Sequence, residues 1–487
     1  MEGPTGVVFP AIEGRRSTTA LGRAVVADAL RAVDPVGARS AEHETDWRHA
    51  YLGHFRRLVE AGLLSGDAAV TIARDGLASL HTRMRVVDDG GHEHGLEEAF
   101  SAPETHPPLG TATVRGDGPV EREFTLPYRG DRLRGDDLRR RLDAWVTDGV
   151  VEPSCAEAVG TVLDNPDWLD LRDQRIVVLG AGAEMGPLTS VLRWGGDVVA
   201  VDLPRPEIWR RLLRTARRHG GRLHLPLAPG AATDDDQTVA AHAGADLLHR
   251  LPQVARWLDG VDGRLVLGNY VYADGATNVR VAVAVDALTR HLQERRDDVA
   301  LAFLATPTDV FAVPGEAVRH AERGYACRGV GRRALRVLSA GRLLHRNYPP
   351  GVDPGVNDSL VPQQGPNYAL AKRLQRWRAT VARECGATVS FTVAPPTRTR
   401  SVLRNRALAA AYAGAHRFGI EVFDPATSNT LMAALLVHHL RTGRPASAHP
   451  WQDEAYAAAH GGLWRVPYAP RSALGLAVLL GLGGARA

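Results

Sequence analysis

Lysine is nearly missing from this 487-residue chain: 58 of its 59 Lys+Arg residues are arginine, and Lys372 is the one exception. A compact ammonium on a flexible stem differs from a planar guanidinium in shape and in ease of deprotonation. An arginine-saturated chain therefore has a reason to keep a lysine only where the fork cannot serve. Cysteine is scarce as well. Cys155, Cys327 and Cys385 are odd in number and far apart, which excludes a disulfide framework and leaves no Cys/His spacing of a zinc site. Aromatics are only 6% of residues and no basic block is interleaved with them. Because the arginines are spread along the chain, the net charge of +4 gives no support for nucleic-acid binding. The longest candidate membrane run, Ala473 to Gly484, is too short and too rich in glycine to span a bilayer. Met1-Glu2-Gly3-Pro4 does not open a signal peptide. These absences predict a cytoplasmic protein with reduced thiols, no metal, and neither membrane nor nucleic acid as partner.

What is present is an ordinary globular balance, 44% apolar and 23% charged, with length for two or three domains. Residues 1–170 read as a mainly helical domain of unassigned role. Helical spacing runs through Trp47–Met84 and Asp136–Leu163, with a hairpin expected between 111–115 and 121–126. His92-Glu93-His94 lies in a Gly/Asp-rich loop and reads as a solvated turn. From Gln174 strands alternate with helices, the grammar of a parallel sheet covered on both faces. Strands are expected at 175–179, 197–201, 222–227, 264–267, 299–305, 388–393 and 420–423, seven in all. The fold class is α/β, a Rossmann-type doubly wound sheet occupying 171–450. An irregular insertion interrupts it at 312–366, and 451–487 forms a C-terminal extension.

Two constellations carry chemistry. Gly180-Ala181-Gly182-Ala183-Glu184-Met185-Gly186 follows a strand and opens a helix, where glycine lets the backbone approach a pyrophosphate at a helix N-terminus. Asp202 ends the next strand, 22 residues after Gly180, and is placed to bond an adenosine ribose. That favours NAD, while Arg205, Arg210 and Arg211 would suit the 2′-phosphate of NADP. The same grammar serves S-adenosylmethionine-dependent methyltransferases. In the second constellation, Tyr368 and Lys372 share a helical face one turn apart. Their helix precedes a strand that runs into Ala394-Pro395-Pro396-Thr397-Arg398-Thr399.

With Gly-Pro-Asn-Tyr-Ala-Leu-Ala-Lys at 365–372 between the glycine turn and the Pro/Thr loop, the chain resembles the short-chain dehydrogenase/reductase family over roughly 174–430. The resemblance implies an NAD(P)-dependent oxidoreductase interconverting an alcohol and a carbonyl. It implies Tyr368 as general acid/base and Lys372 as electrostatic and cofactor partner, drawing the phenol toward the working pH. Cofactor contacts carried over with it are Gly180, Gly182, Ala183, Glu184, Met185, Gly186 and Asp202. Further ones are Asp246 and Leu247 at the adenine, Asn269 at the cofactor wall, and Thr397 and Thr399 at the carboxamide. Asn278 matches the family's helix asparagine. The family's usual partner is a small-molecule substrate, and its usual assembly a dimer or tetramer.

The sequence departs from the family pattern at three places. The last glycine of the turn is replaced by Leu188, the proline-glycine after the sixth strand is Pro395-Pro396, and no serine sits a dozen residues before Tyr368. Thr306 is the expected substitute for that serine, with Thr308 and Ser359 as alternatives. The 312–366 insertion would serve as a lid or an oligomer contact. A non-catalytic nucleotide-binding or scaffold protein and a methyltransferase stay open as other readings.

Overall fold

The computed structural model describes residues 5–101 and 106–482. Met1–Pro4 and the end of the C-terminal apolar run, Gly483 and Gly484, lie outside the described residues. One sheet organises the molecule. Its strands are β1 (Gly110–Arg115), β2 (Gln174–Leu179), β3 (Asp197–Val201), β4 (Arg222–Leu227), β5 (Arg264–Asn269), β6 (Ala300–Ala305) and β7 (Val389–Val393). They lie in the order β7-β6-β5-β2-β3-β4-β1. β2 to β7 run parallel and β1 joins the edge antiparallel to β4. The chain reverses direction of winding between β2 and β5, the topological switch of a Rossmann-type α/β fold.

Both sheet faces are buried, as a parallel sheet requires. Val177, Leu179, Val199 and Val201 enter one core with helices Thr18–Arg31, Trp47–Gly62, Gly66–Arg83, Gly275–Arg295 and Pro366–Glu384. Their neighbours in sequence, Ile176, Val178, Val198 and Ala200, point the other way. There they meet helices Gly135–Thr147, Pro153–Asp164, Pro206–Arg217 and Pro425–Thr442. The period of two along β2 and β3 sends successive residues to opposite cores.

Two strand expectations are corrected. Residues 111–115 do not form a hairpin with 121–126; they pair in register with β4, from Gly110↔Leu227 to Arg115↔Arg222. β4 would otherwise present an open edge of unpaired backbone groups, and the alternating segment Gly110–Arg115 covers it, with Ala112 and Val114 turned inward. Ile420–Phe423 is not a strand, because its backbone pairs with the loop after β7: Phe423 N–H donates to Pro396 O (2.8 Å) and Arg398 N–H to Phe423 O (2.9 Å). Helical spacing over Trp47–Met84 resolves into two helices broken at Leu63–Ser65.

Residues on either side of position 170 share both cores. Gly76 approaches the Trp377 ring so closely that a side chain there would meet it at 2.4 Å. His81 and Arg378 hold the buried Asp286 at 2.7 Å each. The 312–366 segment holds helices Gly315–Ala326 and Val330–Leu338, and the hairpin Val310–Val313/Gly355–Asp358 joins it to the domain. It is fastened to the C-terminal extension: Tyr348 donates to Trp464 O (2.6 Å) and Leu344 N–H to Ser472 O (3.3 Å).

Candidate functional site

The C-terminal ends of β2, β5 and β6 converge with the helix Pro366–Glu384. At the end of β6, Thr306 Oγ1 lies 2.8 Å from Thr308 Oγ1, and its hydroxyl is near enough to Tyr368 to act on the phenol, favouring loss of its proton. Of the three serine substitutes, the fold therefore brings Thr306 to the tyrosine. Thr308 is held by Gln364 Nε2, at 2.8 Å to its carbonyl and 3.0 Å to its hydroxyl. Ser359 is fully buried in the hairpin and donates to Asn357 Oδ1 at 2.6 Å, away from Tyr368. The Tyr368 ring meets the edge of Tyr272 with centroids 6.2 Å apart.

One turn along the helix, Lys372 Nζ donates to Leu304 O and to Gln375 Oε1, both at 3.3 Å. Gln375 Nε2 in turn donates to Asn269 Oδ1 (3.3 Å) at the end of β5. Lys372 and Asn269 are thus linked through a residue that sequence reasoning missed, although its i+3 spacing from Lys372 marks it as a same-face neighbour. Asp309 was missed as well. It is buried and holds Arg373 (3.4 Å) and Arg376 (3.0 Å), while Glu454 takes the other side of Arg376 at 2.6 Å.

Burial dominates both groups of the pair. Burial pushes the Tyr368 phenol above its ordinary value, and the Thr306 contact only partly opposes it. Burial also lowers Lys372, to about 8, with Asp309 opposing. Lys372 therefore loses its proton before Tyr368 does. At neutral pH Lys372 keeps its proton, and the Tyr368 phenol holds its own more tightly than a free tyrosine does.

The glycine turn is shaped by backbone needs. Gly180 has φ +82°, and a side chain at Gly182 would run into Ile208 Cγ2 at 2.8 Å and Asp202 Oδ2 at 3.0 Å. Asp202 accepts from Gly182 N–H (2.6 Å) and Leu203 N–H (2.7 Å), and burial raises its pKa. Arg211 donates to Gly182 O at 2.5 Å. Ala183 N–H closes on Gly180 O. Asn429, from the helix Pro425–Thr442, clamps the far side: its Oδ1 accepts from Gly186 N–H (3.0 Å) and its Nδ2 donates to Glu184 O (2.6 Å). The Glu184 carboxylate holds Arg400, 2.7 Å from Nε. No acceptor takes the Glu184 or Met185 N–H among the described residues.

A dinucleotide fits this donor set in the turn's two unclaimed amides and in Asp202, whose oxygens keep lone pairs for a ribose. The Gly186 N–H is already engaged. Asp246 serves locally: its carboxylate caps Leu248 N–H (2.8 Å) and meets His249 Nδ1 (2.9 Å), while Leu247 is buried in the core. Asn278 Oδ1 accepts from Ala273 N–H (3.1 Å) at the start of its helix. Thr397 is buried, with its hydroxyl between Pro395 O (2.9 Å) and Ser428 Oγ (2.6 Å). Thr399 pairs with Ser401 Oγ at 2.9 Å.

No family model and no curated protein matches this chain. Among solved structures, a thiolation-reductase di-domain from an archaeal non-ribosomal peptide synthetase aligns at 11% identity and a TM-score of 0.28. The alignment covers 54% of this chain and 52% of that one, so the matched region is about half of each.

Proposed function

We propose that this chain is an NAD(P)-dependent oxidoreductase that interconverts an alcohol and a carbonyl, reading it as an atypical relative of the short-chain dehydrogenases/reductases. The observation that carries the reading is the placement of the chain's single lysine, one helical turn from Tyr368, at the strand ends: Lys372 Nζ donates to Leu304 O on β6 and reaches Asn269 on β5 through Gln375. Tyr368 gives its proton to the substrate oxygen in reduction and takes it back in oxidation, while Thr306 orients that oxygen. Lys372 supplies positive charge where negative charge develops on oxygen, held in place by Gln375 and Leu304 O. The turn Gly180–Gly186, with its free Glu184 and Met185 amides, would hold the pyrophosphate and Asp202 the adenosine ribose, favouring NAD. Lys372 would hold the nicotinamide ribose. The nicotinamide, when bound, gives or takes the hydride.

A non-catalytic nucleotide-binding protein is the second reading, favoured by the engagement of Gly186 N–H by Asn429. Calorimetric titration with NADH, NADPH and S-adenosylmethionine tests the proposal. Heat with a nicotinamide nucleotide, and none with S-adenosylmethionine, is expected. The opposite pattern transfers the chain to the methyltransferases. Nicotinamide binding without turnover on a broad carbonyl panel selects the non-catalytic reading.

A further inference from the structure

Three stretches of this chain contain no Asp or Glu: 323–352, 394–420 and 455–487. Together they hold fifteen arginines, leaving 44 Lys+Arg against 55 Asp+Glu elsewhere. The whole-chain +4 is thus +15 in these stretches and −11 in the rest. The fold packs the described residues of the three, through 482 in the last, against one another. Arg332 donates to Arg417 O (2.8 Å), and its guanidinium lies 5.9 and 5.8 Å from the Phe418 and Tyr468 rings. Helices Arg406–Ala415 and Pro470–Gly481 touch at Gly414 and Gly481, where side chains would strike Ala477 O and Ala410 O. Arg400, Arg465 and Arg471 have carboxylate partners. Arg332, Arg333, Arg336, Arg342, Arg404 and Arg406 have none within ion-pair distance among the described residues.

The same stretches hold most of the prominently exposed large apolar side chains. Ten large apolar side chains are prominently exposed among the described residues, and seven of them lie here. On the helix Val330–Leu338, Val330, Val337 and Leu338 are 81%, 78% and 84% exposed. With Ala334 they follow helical spacing on one face, while Leu335 turns to the Tyr325/Phe418/Tyr468 cluster. The helix Pro470–Gly481 buries Ala473 and Ala477 and leaves Leu479 and Leu480 out, and Leu482 follows.

We propose that this face docks peripherally on an anionic lipid bilayer. Exposed valines and leucines flanked by arginines of one sign match acyl chains below acidic headgroups. A second copy is the wrong occupant, since a two-fold contact would set arginine against arginine. Nucleic acid fits less well, because the exposed large apolar side chains of these stretches are valine and leucine, with no aromatic to stack on bases. The absence of a spanning helix does not bear on surface docking.

Flotation of the full chain with phosphatidylcholine vesicles, plain or with about 30% phosphatidylglycerol, tests this. Binding to the anionic vesicles alone is expected, weakening between about 0.1 M and about 0.5 M salt. Val337→Glu with Leu338→Glu should lower the partition coefficient by about tenfold. Arg342→Gln and Arg404→Gln should each lower it by roughly fivefold. These side chains are exposed, so circular dichroism of each variant should match the parent. Failure to float, equal binding to both vesicle types, or binding that neither set of variants weakens overturns the proposal. Capture by heparin without flotation also overturns it, in favour of a soluble polyanion.

Discussion

At Lys372 burial and charge pull against each other, and burial prevails: the ammonium is brought to about 8 although Asp309 favours it. Because the folded-state value lies below the unfolded one, the unfolded chain binds the extra proton between about 8 and 10.5. Stability contributed through this group therefore rises with pH across that window. At neutral pH the buried charge is a cost. Lys372→Met should raise stability in urea unfolding by about 1–2 kcal/mol, less than the full shift because Gln375 and Leu304 O lose a donor. The same variant should abolish turnover. Carbonyl reduction should decline as pH rises through about 8, where the ammonium is lost. Tyr368→Phe should lower kcat by roughly 10²–10⁴-fold with nicotinamide binding retained. Lys372→Arg should be damaging as well, since a fork cannot keep both 3.3 Å bonds of the ammonium. Normal turnover by both of these variants would end the mechanism. The Tyr/Lys pair was legible from spacing alone. The direction of its pKa shifts was not, because the groups that act on the phenol, Thr306, Tyr412, Tyr272 and Asp309, all lie elsewhere in the sequence.

Among the elements, the glycine turn shows how far local pattern reaches. Its need for glycine was readable, because the strand before it and Asp202 after it leave no room for a side chain at Gly182. The helix Pro425–Thr442, which clamps the turn through Asn429, was not anticipated. It is buried nearly all round, so no apolar stripe marks it, and it lies 243 residues from Gly186. Asn429→Ala removes the partner of Gly186 N–H and a donor to Glu184 O. It should cost about 1–3 kcal/mol, measured as a lower urea midpoint with unchanged slope. An unaltered midpoint would show that solvent replaces both bonds. β1 was legible as a strand, but its partner was not, for a related reason: β4, the edge it covers, is more than a hundred residues away.

Across the whole molecule, the C-terminal extension is tied to the start of the helix Pro153–Asp164 by buried charge. Glu152 takes both Arg465 Nε (2.8 Å) and Nη2 (2.7 Å), and His460 Nε2 lies 2.9 Å from the same carboxylate. Burial alone would raise Glu152, but the arginine and histidine outweigh it and hold the carboxyl at about 2. Its stabilisation is present above the ordinary value of 4.5 and is lost as pH falls toward 2. Arg465→Met leaves a buried carboxylate without its fork and should destabilise by about 3–5 kcal/mol at pH 7. The loss should shrink between pH 4.5 and 2, as acid titrations of unfolding would register. A constant difference across that range would remove Glu152 from the account.

Composition and local order by themselves determined the α/β class, the glycine turn, and the helical face shared by Tyr368 and Lys372. Each of these depends on residues within a strand or a few turns of one another. Tertiary structure decided what depends on distant segments meeting. It placed Thr306 at the end of β6, where its hydroxyl acts on the Tyr368 phenol, and engaged Ser359 with Asn357 instead. It packed together acid-free stretches that lie far apart along the chain, and it left leucines and valines exposed among their arginines. Charge and exposure add in space and not along the chain, so only the fold could show them.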